Sequence, residues 1–549
     1  MTRPRTVVQT PALWSGALFH RLCRRLVPLI ALVIVTGALT VLGCGSSSPT
    51  FSGVTANDLA NRAFTFPTGA GALLSKAPCG PQEQAPCGLG LPQGQAFTLQ
   101  FGNFEGTNTG PVRLDSGGST ASGTVSLGSA SSSTTTGMTV TICTFQFNQQ
   151  STFSAGLGPQ VGTHFTSNPC EVDRAHNTMR LTPVAGETEV SAPFAVLPTT
   201  NAAFVLSTDF STGSYSVVDL TSRFVFKDIK RGGVGSDAIA RFFNGRVYVV
   251  NRLPVDSIQI FDPQQGFTTP TTNGALSVDS GSDPQDIAVV NANKAYVSRL
   301  GSARLLIIDP TTLTRLGELD LSGLVKPNDS DGSPDPTYMM VRNGLVYVTL
   351  RHIDFNTPSP MTKVANGEVA VIDPTNDRIR AVIQLNGKNP LSELQFSPTL
   401  NRILVSSVGD FASDNGGLND GGIDAINPDT NTVDAQFVVD EATMGGDITT
   451  FALVSRTKGF AVVRDVHSAN SLVTFNPSTR QRLNSVVGPL NVPVPDVAIN
   501  SLNEVYLAVA DTQTPTPGLR IFDAITDREI TTTPLNVGQL PPAFILFIE

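Results

Sequence analysis

The 549-residue chain is poor in the side chains that most often carry metal and redox chemistry, with five histidines, six cysteines and one tryptophan. No Cys-x-x-Cys-His occurs, which excludes covalent haem, and so few histidines exclude multi-copper chemistry. There is no Gly-x-Ser-x-Gly turn and no Cys/His pair whose spacing recommends a nucleophile, so no catalytic residue is singled out. Charged residues are sparse at 15%, with a formal balance of −9. Nucleic acid and anionic lipid headgroups are bound through phosphate neutralisation, so an acidic chain argues against both as partners.

Long apolar runs are also scarce, and the one at the N-terminus is informative. Arg21, Arg24 and Arg25 precede an uncharged stretch from Leu26 to Leu42, which ends in Gly43-Cys44 and the polar Gly45-Ser46-Ser47-Ser48. A spanning helix usually needs about 20 apolar residues, and this stretch is shorter and contains Pro28. Cleavage as an export signal over residues 1–43 is the better reading. Val41-Leu42-Gly43-Cys44 resembles the bacterial lipobox, departing from it in the bulk of Leu42. The resemblance implies that Cys44 is diacylated and starts a lipidated polar linker, residues 44–54, that holds the protein on a membrane of the bacterial cell envelope. Gly45 is not the aspartate that retains many lipoproteins at the inner membrane, so the outer membrane or cell surface is expected. Cleavage removes five arginines and no acid, taking the balance from −9 to −14.

Beyond Cys23 and Cys44, four cysteines remain, all before residue 171. In an oxidising compartment they suit two disulfides, Cys79 with Cys87 and Cys143 with Cys170, although three connectivities are formally open. Neither pair has the two-residue gap of a zinc knuckle. Residues 55–190 are rich in Ser, Thr and Gly, with period-2 alternation in Ala96–Phe101 and Thr139–Phe147, which predicts a small β-sandwich-like domain.

From residue 191 to 549 a unit recurs in which an apolar strand built on Tyr-Val is followed by a strand ending in Asp-Pro or a variant. Seven copies run from Phe204, Tyr248, Tyr296, Tyr347, Leu404, Phe460 and Tyr506 to Asp219, Asp262, Asp309, Asp373, Asn427, Asn476 and Asp523. The closing Asp or Asn residues lie 43, 47, 64, 54, 49 and 47 residues apart, a period that suits four short strands per repeat. One such sheet cannot bury both faces, whereas a closed ring can, so an all-β propeller of seven blades is expected, with eight as the alternative. Pro541–Phe547 reads as an inner strand that seals the ring by pairing into the first blade. Tyr248-Val249-Val250-Asn251, Tyr296-Val297-Ser298-Arg299 and Ile308-Asp309-Pro310-Thr311 resemble the YVTN family of β-propellers. Members of this kind are mostly surface or periplasmic proteins, so the resemblance speaks to fold more than to activity.

Insertions cluster after second strands, at 351–367 and 409–422, and in the linker 321–336, all expected on one face. Arg252, Arg299, Arg351 and Arg464 follow second strands there, and Asp237, Asp286, Glu393, Asp447 and Asp496 stand just before inner strands, near the channel mouth. These nine either fix blade to blade by ion pairing or form a polar funnel for a charged small molecule, a glycan or a cation. His352 and His467 share these loops but do not by themselves make a metal site. No cofactor is required; calcium is the ion the acidic loops suit best, though 410–416 and 419–424 match no EF-hand. Asn328–Gly332 fails that pattern too, with Pro327 and Tyr338 at ligand positions. The expected function is a non-catalytic binding or scaffold module for an envelope protein, glycan or small molecule. The alternative is a metal-dependent hydrolase of the lactonase type, which would need a bound metal and a channel-facing carboxylate acting as base.

Overall fold

The computed structural model describes residues 52–66, 96–104, 107–116, 119–131, 139–147, 163–167, 170–173, 178–181 and 190–549, the last stretch without 230–232, 271–273, 359–360, 418 and 511–516. The export signal, Cys44, Cys79 and Cys87 lie outside the described residues.

Strands between Ser52 and Val196 form one antiparallel series that folds over a single apolar face. Val190–Val196 is shared: its first half pairs with Thr178–Leu181, its second half with Arg62–Phe66. Alternation turns Phe64, Phe66, Phe97, Leu99, Phe101, Leu114, Phe145 and Phe147 to the buried side. There Phe66 stacks on Phe97 at 4.7 Å and Phe64 meets Phe101 edge-on at 5.7 Å. The Cys143–Cys170 disulfide ties the two parts of this sandwich-like sheet through its core. The domain rests on the first propeller blade, where Arg113 reaches Asp228 at 2.6 Å and Gln100 exchanges two hydrogen bonds with the Lys227 backbone.

From Ala202 onward the described strands assemble into seven antiparallel blades, with a further two-stranded hairpin, Ile353–Asp354 with Thr362–Lys363, in the long loop of blade 4. Blades 2 to 7 follow chain order from inner strands at Ala238–Phe243, Pro284–Asn291, Pro336–Arg342, Gln395–Ser397, Asp447–Ser455 and Asp496–Ile499. Blade 1 is composite: Ala202–Thr208, Gly213–Asp219 and Val225–Phe226 take their inner strand from Pro542–Ile548 at the far end of the chain. Ile548 stands opposite Ala202 and Phe544 opposite Leu206, so the last strand closes the ring at seven. Second strands are buried along nearly their whole length, and along all of it in Ala202–Thr208 and Leu345–Leu350, because neighbouring blades cover both faces. Outermost strands such as Thr314–Asp320 are largely exposed and polar.

Both halves of the repeat motif have a structural job. The closing Asp or Asn accepts backbone N–H groups of the turn that follows: Asp309 from Thr311 and Thr312, Asp373 from Thr375, Asn476 from Ser478, Asp523 from Ile525 and Thr526. The tyrosine of Tyr-Val reaches the equivalent turn of the next blade, Tyr347 donating to Asn431 at 2.7 Å and Tyr296 to Asp377. Ring closure repeats this between blades 7 and 1, where Arg223 donates to the Tyr506 hydroxyl at 3.1 Å.

Candidate binding site at the channel mouth

Inner strands of a propeller converge on its axis, so residues at their starts meet there whatever their separation in sequence. A cavity of about 200 Å³ opens at this mouth, walled by blades 1, 2, 4, 5, 6 and 7. Four of the nine expected residues line it: Asp237, Arg252, Glu393 and Asp496. Ser207, Thr208, Ser236, Ser392 and Thr450 join them, with Tyr338, Phe210 and Phe544; the Thr208 hydroxyl already donates to the Ser236 carbonyl and the Ser392 hydroxyl to that of Glu393. Phe210 is 82% exposed.

Arg252 lies over the Tyr338 ring and donates to its hydroxyl at 3.2 Å, with Asp237 at 3.3 Å. Its Nε is buried and meets no acceptor among the described residues. Asp496 accepts the Ile545 N–H at 2.8 Å; burial, with the nearby Glu393 charge, pushes its carboxyl up to about 8.

Beneath the cavity lies a residue that sequence reasoning passed over. Arg241, on the inner strand of blade 2, holds Asp286 of blade 3 with two nitrogens, at 2.8 and 2.9 Å, and Glu393 of blade 5 at 2.6 Å. Asp286 is wholly buried and also accepts the N–H groups of Met339 and Ile287. Burial opposes the Arg241 charge, but the two carboxylates outweigh it and raise the guanidinium's pKa. The available signal was a single cation in an apolar inner strand, Ala240-Arg241-Phe242.

The remaining expected residues do not line this cavity. Arg299 is taken up by Asp279 at 2.9 Å and Glu318 at 2.6 Å. Arg351, its pKa lowered by burial, donates to Asn389 at 2.8 Å. Arg464 lies over Phe411 and donates to Ser468. Asp447 accepts the Ala412 N–H, and burial pushes it up to about 6. His352 is wholly buried with Nε2 2.9 Å from Glu368, whereas His467 is exposed. Neither belongs to a group of three metal-binding side chains among the described residues; the one such group is Asp329, Asp331 and Asp354.

The sequence matches no protein-family model and no curated protein. Among solved structures it is similar to the dihydro-heme d1 dehydrogenase NirN in complex with DHE, at 12% identity over 64% of this chain and 76% of that one, TM-score 0.42. It is also similar to streptogramin B lyase, at 10% identity over 57% and 92%, TM-score 0.38, and to BamB from Moraxella catarrhalis, at 14% over 60% and 91%, TM-score 0.34. Likenesses this distant say nothing of activity, and the β-propeller fold stands on the strand pairing itself.

Proposed function

We propose that this protein is an exported lipoprotein of the bacterial cell envelope, anchored through Cys44, whose YVTN-type propeller binds a hydroxyl-rich small molecule or the end of a glycan at its channel mouth. The observation that carries the reading is the lining of the cavity: three carboxylate residues, five hydroxyl-bearing residues and Arg252 around a space of about 200 Å³. Carboxylates and hydroxyls match the donor and acceptor pattern of a polyol, and Tyr338 and Phe544 supply flat apolar faces for its C–H groups. That volume is about seven waters' worth, the scale of one sugar ring rather than an extended chain.

Saturation-transfer NMR against a panel of neutral, acidic and amino monosaccharides tests this. Binding by at least one member, lost in Thr450→Phe, which fills the cavity, supports the reading; a panel that gives no transfer, or transfer unchanged in the variant, overturns it. Labelling with radioactive palmitate tests the anchor: incorporation by the wild type and none by Cys44→Ser is expected, and an unlabelled wild type refutes lipidation. Asp496 with its raised pKa is the base that a lactonase-type reading would use. Binding is the reading kept, because the acidic trio suited to a divalent metal does not line this cavity.

A further inference from the structure

Two loops of the propeller expose apolar side chains beside the channel-mouth cavity. Phe210, in the loop after the second strand of blade 1, lines the cavity and is 82% exposed. Leu253 and Val255, in the corresponding loop of blade 2, are 51% and 47% exposed. Both loops abut the Gly235-Ser236 segment of the cavity wall. In blade 1 the Thr208 hydroxyl donates to the Ser236 carbonyl, and Gly213, which ends the loop, lies so close to the Gly235 carbonyl that a Cβ would collide with it. In blade 2 the Asn251 side chain accepts the Gly235 N–H at 2.7 Å, and Val255 Cγ2 stands 3.3 Å from where a Cβ on Gly235 would be.

Hydrogen bonds hold both loops in shape. Asp209 Oδ1 accepts the N–H groups of Ser211 at 2.9 Å and Thr212 at 2.6 Å, and the Phe210 N–H donates to the Thr208 hydroxyl at 2.8 Å. The Arg252 carbonyl accepts the N–H groups of Val255 at 3.0 Å and Asp256 at 3.2 Å, and the Leu253 N–H donates to Asp283 at 3.2 Å. Phe210 has a φ of 63°, a left-handed conformation that glycine and asparagine adopt with little cost and a bulky side chain does not. A single exposed apolar residue is ordinary on a protein surface. Here three on adjoining loops border one cavity, and one of them sits on strained backbone with no burial to offset it, the kind of position that clusters at ligand sites.

We infer, resting on the sugar-binding reading of the cavity, that Phe210, Leu253 and Val255 form a subsite for an alkyl chain, so that the channel mouth takes glycosides with an alkyl tail in preference to free sugars. A space of about 200 Å³ takes one ring, so whatever substituent the ring carries must leave over the rim. On the side of blades 1 and 2 that substituent runs across Phe210 and Val255, whose apolar surface is removed from water only when something covers it. A second sugar unit finds little there to pair with, because Asp209 Oδ1 is turned back on its own loop and the Arg252 guanidinium on Tyr338 and Asp237. An alkyl chain needs no such partner.

Isothermal titration of the purified full-length protein with the methyl and hexyl glycosides of glucose, glucosamine and glucuronic acid tests this. For at least one sugar the hexyl glycoside should bind about tenfold more tightly than the methyl one, since burying two of its added methylenes is worth about that factor. In Phe210→Asn and in Val255→Ser that ratio should fall about threefold or more. Asparagine suits the left-handed backbone at 210, so the first variant should melt with the wild type. Thr450→Phe, which fills the cavity, should abolish binding of both glycosides. A hexyl-to-methyl ratio near one in the wild type, or a ratio unchanged in both rim variants, would overturn the subsite and leave the sugar site standing. Hexyl binding that survives Thr450→Phe would overturn it as well, because the chain would then bind without the ring. Binding by none of the six glycosides would instead refute the sugar-binding reading, and the subsite with it.

Discussion

Replacing Arg241 with methionine puts the energetics of the channel to a numerical test. The substitution keeps a long side chain of similar reach and removes the one cation among the described residues that pairs with Asp286, which is wholly buried, and Glu393, which is partly exposed. Removing one partner of a buried ion pair costs about 3–5 kcal/mol, because the other charge is left uncompensated. Unfolding entropy scales with size, so for a cooperative unit near 500 residues the melting point falls by roughly 1 °C per kcal/mol, about 3–5 °C here. The reverse change, Asp286→Asn, is cheaper at about 1–2 kcal/mol, since asparagine still accepts a backbone N–H and Arg241 keeps Glu393. Adding Arg241→Met to Asp286→Asn then costs little more, because no buried charge remains at that position. Burial already raises the Asp286 pKa despite Arg241, so losing the arginine raises it further and the deficit shrinks as pH falls. Differential scanning calorimetry of the four proteins at pH 7 and pH 5 reads the cycle. A single variant Arg241→Met that melts with the wild type, or single effects that simply add, would refute a charge held in place by this arginine.

Three other outcomes follow from the same geometry. Deleting residues 541–549 unpairs Ala202–Ser207 and removes the buried Ile545 and Ile548, a loss of about 5 kcal/mol or more that circular dichroism melts would show as an opened, less cooperative propeller. The double variant Cys143→Ala/Cys170→Ala frees a 27-residue separation and should cost about 3–4 kcal/mol by the chain-entropy argument, seen as a lower melting point under non-reducing conditions. Asp496 holds its proton more tightly folded, at about 8, than unfolded, where a carboxyl titrates near 4. Its contribution is therefore complete below about pH 4 and lost as pH rises through 8, roughly 1 kcal/mol per unit, and Asp496→Asn should flatten that part of the stability profile. An unchanged profile between pH 5 and 9 would contradict the buried environment assigned to it.

What the sequence disclosed and what it hid divide along local and ring-dependent features. Each blade announces itself because its Asp or Asn mark is a turn residue that accepts N–H groups two and three positions on, and its Tyr-Val strand is apolar on both faces. The sealing strand was legible as a further inner strand after the seventh repeat, and Cys143 with Cys170 was one pairing among the three connectivities open to the four cysteines of the N-terminal domain. Position before an inner strand was enough to bring Asp237, Glu393 and Asp496 to the mouth. It was not enough for Asp286 and Asp447, whose side chains are absorbed by Arg241 and by the Ala412 N–H. Arg299 follows its strand as Arg252 does, yet finds Asp279 and Glu318, partners that only the blade's twist brings within reach. Arg241 stayed hidden because its partners lie 45 and 152 residues away and meet it only once the ring closes. Asp329, Asp331 and Asp354 failed a contiguous pattern for the same reason, their convergence being a property of two loops.

The most direct measurement of the central claim is a crystal structure of the protein soaked with whichever monosaccharide gives the strongest saturation transfer. Electron density for one sugar ring between Tyr338 and Glu393, with its hydroxyls within hydrogen-bond distance of Asp237 or Glu393, is expected. Density on another face, with the channel mouth holding only water, would contradict it.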